Sequence, residues 1–196
     1  MMALQAVFWM LMLFFAAVGA IRGWVREILV TSSLTLAFAI IALFWRGTEP
    51  QIQEQPGAIP PAPTWNFALP QTVENPRAEV LKRAGLLLAF AFMGYQTAGI
   101  GRFAARIGAT RMQDRILGAV LGAINGYLLV GSLWFYLAAY GYPFEAFVPP
   151  GAYGMTEPNL LRYMAPAYIL KPVFGNIPAA LAVMLVLFIF LLLALL

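Results

Sequence analysis

Neither cysteine nor histidine occurs among the 196 residues. Without cysteine there is no disulfide and no thiolate nucleophile or ligand, and the redox compartment leaves no trace in the chain. Without histidine the commonest protein metal ligand is gone, together with the usual general base near neutral pH. Only eight carboxylates remain for metal binding or acid–base work. They are scattered, and no phosphate-cradling loop, catalytic carboxylate pair or nucleophile–base arrangement can be drawn. The expectation is a chain with no catalytic residue and no metal site, and not an enzyme. Charge is scarce too, at 10% of positions, whereas hydrophobic residues fill 62%. Soluble domains carry about 25% charged and about 45–50% apolar residues. Such an excess would stay exposed in water, but in lipid it is the wetted surface, so the composition is that of an integral membrane protein.

A membrane-spanning helix needs about 20 apolar residues to cover about 30 Å of hydrocarbon. Segments 2–21, 28–45, 84–101 and 116–140 meet this, and 177–196 is a fifth, uncharged candidate. Segment 2–21 has no basic leader and no small-residue cleavage site, so it reads as a retained span. Each run is continuous and of helical length, unlike the short alternating segments of a barrel. Open strands would leave backbone groups unpaired in lipid. The predicted fold is an all-α membrane protein: one domain over 1–196, four to five transmembrane helices in a compact bundle, and a long proline-rich extracytoplasmic loop.

Orientation follows from the short loops. The first and third connections carry Arg22, Arg26, Arg102, Arg106, Arg111 and Arg115 against only Glu27 and Asp114, so the net charge of +4 falls on one face. That face is placed in the cytoplasm and the N-terminus outside, with Lys82 and Arg83 before the third span as contrary charges. Trp134 lies about 27 Å along the helix from Ile116, which suits an outer aromatic belt of Trp134, Tyr136 and Tyr140. The basic face reads as topology and lipid-headgroup anchoring, and no nucleic-acid motif accompanies it.

The outer loop 46–83 contains seven prolines, which favour extended backbone over helix. By itself such a stretch reads as a flexible linker; Trp65 and Phe67 within it are the apolar anchors for the alternative, docking on a partner or on the outer loop 141–176. The second outer loop, 141–176, holds Thr156-Glu157-Pro158, a helix-start signal. A short helix over 159–164 would lay Leu160, Leu161, Tyr163 and Met164 on the membrane surface.

The sharpest local pattern is Gly118, Gly122 and Gly126, spaced by four along one helix face, a groove that lets another helix approach closely. Gly19 and Gly23 form a second small-residue face. An intramolecular hairpin is favoured over homodimerisation for both. Asn125, inside the fourth span, reads as a helix-to-helix hydrogen bond worth about 1 kcal/mol. No charged residue lies deep in any segment, which argues against an ion-coupled transporter. Thr31, Thr35, Gln96 and Thr97, with Asn125, are candidates for a narrow polar path, although helix-to-helix or backbone hydrogen bonding is the commoner role, and a ligand or ion contact is the alternative for Asn125. Arg22, Arg26, Glu27, Arg111, Asp114 and Arg115 cluster at the cytoplasmic ends, and pairs of Arg22 or Arg26 with Asp114 would lock the helices together.

The run Gly19-Ala20-Ile21-Arg22-Gly23-Trp24-Val25-Arg26-Glu27 resembles the Gly-x-x-Arg-Gly-aromatic-x-Arg-Glu hairpin of the colicin V production protein (CvpA) family. Asp114-Arg115-Ile116-Leu117-Gly118-Ala119-Val120-Leu121-Gly122 resembles the Asp-Arg-x-x-Gly-x-x-x-Gly opening of that family's last span. The similarity covers 1–45 and 84–140, while the proline-rich loop and the apolar C-terminal segment depart from the usual pattern. The resemblance implies a small, multi-pass bacterial inner-membrane protein linked to colicin export and envelope upkeep, with no established catalytic activity. From the residues, the leading expectation is a structural or accessory subunit of a larger membrane complex, with an energy-transducing assembly as one host. Its partners would be membrane lipid and other membrane subunits. It would have no cofactor of its own, although such a subunit could touch lipid, quinone or carotenoid. The alternative is a channel or export factor of the colicin V production type; a membrane enzyme would need a site that the residues do not supply.

Overall fold

The computed structural model describes residues 4–45, 51–54, 65–68, 73–96 and 111–144, together with Met164, Ala182, Val183, Leu185, Val186 and Ile189; for 4, 5, 51–54, 65–68 and 111 it describes the backbone alone. Helix α1 runs over Leu4–Arg22 and α2 over Trp24–Phe44. Strands β1, Gln51–Glu54, and β2, Trp65–Ala68, pair antiparallel with Gln51 opposite Ala68 and Glu54 opposite Trp65. Helix α3 covers Pro76–Tyr95, α4 Arg111–Gly126 and α5 Ser132–Ala139, with a π-helical turn, Tyr127–Gly131, joining the last two.

Local chemistry explains several boundaries. Asn75 caps α3 by accepting from the Ala78 N–H at 3.1 Å, and Pro76 stands at the first helical position, where a missing N–H costs nothing. A single residue, Gly23, separates α1 from α2 at φ +83°, a conformation that a Cβ penalises. The first connection is therefore one residue rather than 22–27: Arg22 ends α1, while Arg26 and Glu27 belong to the first turn of α2. Hydroxyls within α2 bond back along their own helix, Ser32 to the Ile28 carbonyl at 2.8 Å and Thr35 to the Thr31 carbonyl at 2.7 Å.

Helix α2 is the centre of the bundle, packing on both α3 and α4, while α1 packs chiefly on α4. Leu29, Val30, Leu34, Ala37, Phe38, Ala39 and Ile41 are all buried along α2. Among the described residues, two helical stretches are long and apolar enough to cross a membrane, Trp24–Phe44 and the continuous Met112–Ala139, and Ala6–Arg22 is apolar but shorter. The described residues of the fifth candidate segment are helical, with Val183 packed on the core.

The proline-rich loop holds a two-stranded antiparallel pair among its described residues, a small addition to a bundle that is all-α as expected. Two expectations change. Trp134, Tyr136 and Tyr140 are buried core residues and not an outer belt; α5 is covered by its own chain, with Phe8 of α1 packed near the Trp134 ring. Met164, expected at the membrane surface, is buried against Gly131. Of the short helix over 159–164, only Met164 is among the described residues, as are only Gly141–Phe144 of the loop preceding it.

Candidate functional site at the crossing of two motifs

The glycines of both motifs meet face to face. A methyl group built on Gly19 would collide with the Gly118 carbonyl oxygen and lie 2.9 Å from Gly122 Cα. One on Gly122 would collide with the Phe15 carbonyl oxygen and lie 3.0 Å from Gly19 Cα, and one on Gly126 would lie 2.9 Å from Phe15 Cβ. Backbone thus touches backbone over nearly two turns, the geometry for which small residues at intervals of four are suited. The contact is intramolecular, but it joins the first and fourth spans rather than a hairpin of sequence neighbours. A second close crossing was not anticipated: a Cβ on Gly94 of α3 would lie 2.9 Å from Val30 Cα of α2. Gly94 stands alone, without a partner four residues away, so only its position inside an apolar run hinted at it.

The charged residues organise around that crossing. Asp114 accepts from the Trp24 backbone N–H at 3.1 Å. The first N–H groups of a helix have no intrahelical acceptor, and Gly23 has no side chain with which to cap α2. Asp114 supplies the cap from another helix. Gly23 leaves room for it, since a Cβ there would lie 2.7 Å from either carboxylate oxygen. Arg22 pairs with Glu27 instead of Asp114, with Nε 3.1 Å from Oε1. Its other guanidinium nitrogens donate to the Tyr95 carbonyl at 3.3 Å, and its Cζ lies 4.5 Å from the centre of the Tyr95 ring. Tyr95 ends α3, where carbonyls lack partners and a cation is favoured. Arg26 and Arg115 are exposed, whereas Arg102 and Arg106 lie outside the described residues.

Glu27, in the first turn of α2 and just before the segment 28–45, is fully buried among the helix ends. Asn125 Nδ2 donates to Glu27 Oε2 at 2.8 Å and to the Glu27 carbonyl at 3.0 Å. Thr31 Oγ1 is 2.7 Å from Asn125 Oδ1 and 3.0 Å from the Glu27 carbonyl, so its one proton has two acceptors in reach. Asn125 therefore makes the expected interhelical bond, and its partner is a carboxylate. Of the other path candidates, Thr35 is satisfied within α2, Gln96 is exposed, and Thr97 lies outside the described residues. Four helices meet at this cluster: α1 through Arg22, α2 through Glu27 and Thr31, α3 through Tyr95, and α4 through Asn125 and Asp114.

A second ionic group lies near the start of α3, about 24 Å along that helix from Tyr95. Arg83, taken from the sequence as a flanking surface charge, is fully buried. Its Nη1 pairs with Glu79 Oε2 at 2.5 Å, and its Cζ lies 5.2 Å from the Tyr140 ring centre and 5.7 Å from that of Tyr136. Lys82 also pairs with Glu79, at 2.9 Å. Burial pushes the Glu79 carboxyl up, but the hydrogen bonds and charges of Lys82 and Arg83 outweigh it and hold the pKa below the ordinary 4.5. A lowered folded-state pKa contributes stability that is present above the unfolded value and lost as pH falls through the folded one. Wild type should therefore lose thermal stability below about pH 4.5, and Glu79→Gln should flatten that acid limb. Parallel melting profiles between about pH 3 and pH 7 would show that this carboxylate contributes nothing specific.

Trp65 and Phe67 lie two positions apart on β2, and their side chains are outside the described residues. Among the described residues no group of three His, Cys, Asp or Glu side chains could hold a metal ion. No curated protein and no solved structure matches the chain. A family model described as colicin V production protein matches residues 4–149. That stretch contains both glycine motifs, the capping Asp114 and the buried Glu27–Asn125 pair, and the chain belongs to the colicin V production protein family.

Proposed function

We propose that this chain is a non-catalytic, multi-pass protein of the bacterial inner membrane that serves as a structural or accessory subunit of a larger membrane complex. The observation behind this reading is the direction in which the motif residues face. Gly19, Arg22, Glu27, Asp114, Gly118, Gly122 and Asn125 are engaged with other helices of their own chain. The outward faces are apolar: Trp9, Met10, Leu13 and Phe14 on α1, Leu88, Phe92 and Met93 on α3, and Ile116, Leu117, Val120 and Ile124 on α4. Such faces suit lipid and neighbouring subunits. Four or five spans with the N-terminus outside fit this reading, with the segment 84–101, which takes in the end of α3, as the third and 177–196 as the fifth. The family supports a second reading as a channel or export factor of the colicin V production type. What weighs against a channel is that Thr31 bonds to Asn125 and Thr35 back to its own helix.

The proposal is tested by gentle solubilisation at native expression and mass spectrometry of what co-purifies. The β1–β2 segment is the proposed docking element. Residues two apart on a strand share a face, and the 31 residues between Phe44 and Pro76 far exceed the roughly 2–8 that join adjacent bundle helices. Trp65→Ala with Phe67→Ala should release the co-purifying partner while leaving membrane insertion unchanged. Undiminished co-purification would make the loop a spacer and move the association to the helix faces. For orientation, single cysteines at Thr64 and Thr110 are labelled with an impermeant thiol reagent in intact cells. Thr64→Cys should react and Thr110→Cys should not; the reverse result inverts the topology.

A further inference from the structure

We infer that the Trp24 end of the α2–α4 pair carries a binding site for an anionic phospholipid, an inference that rests on the membrane reading above. A groove of about 360 Å³, open to the outside, lies there between Trp24 of α2 and Gln113, Ile116 and Leu117 of α4. Beyond it, Val120 and Ile124 follow Ile116 at one and two helical turns along α4, and both are exposed. An apolar channel that starts at the end of two candidate spans and runs along one of them has the shape and chemistry of an acyl-chain track. Trp24, half-buried at its mouth, is the residue type that settles at headgroup depth.

The charge at this end selects the headgroup. Both acids here have partners within the protein: fully buried Glu27 with Arg22 and Asn125, and half-buried Asp114 with the Trp24 N–H. Arg26 and Arg115 are exposed at the same end. Among the described residues, the exposed charged side chains at this end are therefore both positive, with Asp114 half-buried beside them. This asymmetry is a product of the fold, since the sequence supplies acids and bases to both short connections. A phosphate bearing a net negative headgroup is attracted by guanidinium groups that accept it bidentately. A zwitterionic lipid offers the same chains without the net charge.

The experiment uses the purified full-length protein in detergent, with phosphatidylglycerol and phosphatidylcholine of identical acyl chains, read by native mass spectrometry and thermal shift. Phosphatidylglycerol should be retained and raise the melting temperature, and phosphatidylcholine should do so far less. Arg26→Gln with Arg115→Gln should weaken the phosphatidylglycerol response about 30-fold, equivalent to about 2 kcal/mol for two interfacial arginines, and bring it to the phosphatidylcholine level. Ile116→Asn should weaken retention of both lipids by spoiling the track. If a variant does not fold, the comparison of the two lipids on wild type decides alone. Equal retention of the two lipids overturns the site while leaving the membrane assignment intact. An equal shift with inorganic phosphate also overturns it, in favour of a headgroup-independent anion site. Failure to retain either lipid, with release of the protein from membranes by alkaline wash, removes the membrane reading as well.

Discussion

Gly122→Leu is expected to separate α1 from α4 and to remove most of the folded protein from the membrane. A side chain at this position has nowhere to go. Its Cβ alone would collide with the Phe15 carbonyl oxygen and stand 3.0 Å from Gly19 Cα, and both neighbours are backbone that a rotamer change cannot move. Overpacking a tight interior costs about 1–3 kcal/mol when side chains can shift, and here the upper end or more is expected because a helix must move. The matched control is Gly85→Leu on α3, where a Cβ meets nothing within 4 Å and leucine is the better helix former by about 0.8 kcal/mol. Gly131 is a poorer control despite lying off the Gly118–Gly126 face. A Cβ there comes within 2.8 Å of Met164 Sδ, the flexible end of a buried side chain, so Gly131→Leu should fall between the two. Detergent melting temperatures and membrane accumulation measure all three. Equal tolerance at Gly122 and Gly85 would remove the α1–α4 crossing from the fold.

The second large effect belongs to Glu27. Glu27→Leu deprives Asn125 Nδ2 of its carboxylate acceptor and Arg22, about a fifth exposed, of its fully buried counter-ion. Removing one member of a buried ion pair typically costs about 3–5 kcal/mol, because the remaining charge keeps its desolvation penalty. Arg22 retains the Tyr95 carbonyl and ring, which places the expected loss near the lower end of that range. Glu27→Gln keeps an oxygen for Asn125 but not the charge for Arg22, and should be intermediate. Arg26→Leu, at the neighbouring motif position but exposed, should change stability by no more than about 0.5 kcal/mol. The double variant Glu27→Leu with Asn125→Leu should cost less than the two single changes added together, since each removes the other's partner. A Glu27→Leu protein as stable as Arg26→Leu, or strict additivity in the double variant, would mean that the pair does not hold the four helices.

Much of the architecture was legible in the residues because it depends on local period and composition. Twenty uninterrupted apolar residues specify a helix in lipid whatever surrounds them. The four-residue spacing of Gly118, Gly122 and Gly126 places them on one face by helical geometry alone. Asn125, a polar group in an apolar run, had to find a donor or acceptor on another helix. Which partners met was decided by the tertiary structure. Arg22 and Arg26, and likewise Glu27 and Asp114, are equivalent as charges near a helix end. The positive φ at Gly23 and the contact of Gly19 with Gly118 and Gly122 place Asp114 at the start of α2 and leave Glu27 to Arg22. Arg83 looked like a flanking surface charge because the residues that enclose it, Tyr136 and Tyr140, lie more than 50 positions away in the sequence. The same enclosure took Tyr136, Tyr140 and Trp134 out of the membrane interface and into the core. Helix formation and glycine spacing are properties of neighbours along the chain, and so the sequence by itself determined them. Burial of a charge and choice of its counter-ion are properties of distant segments brought together, and only the packed bundle decides them.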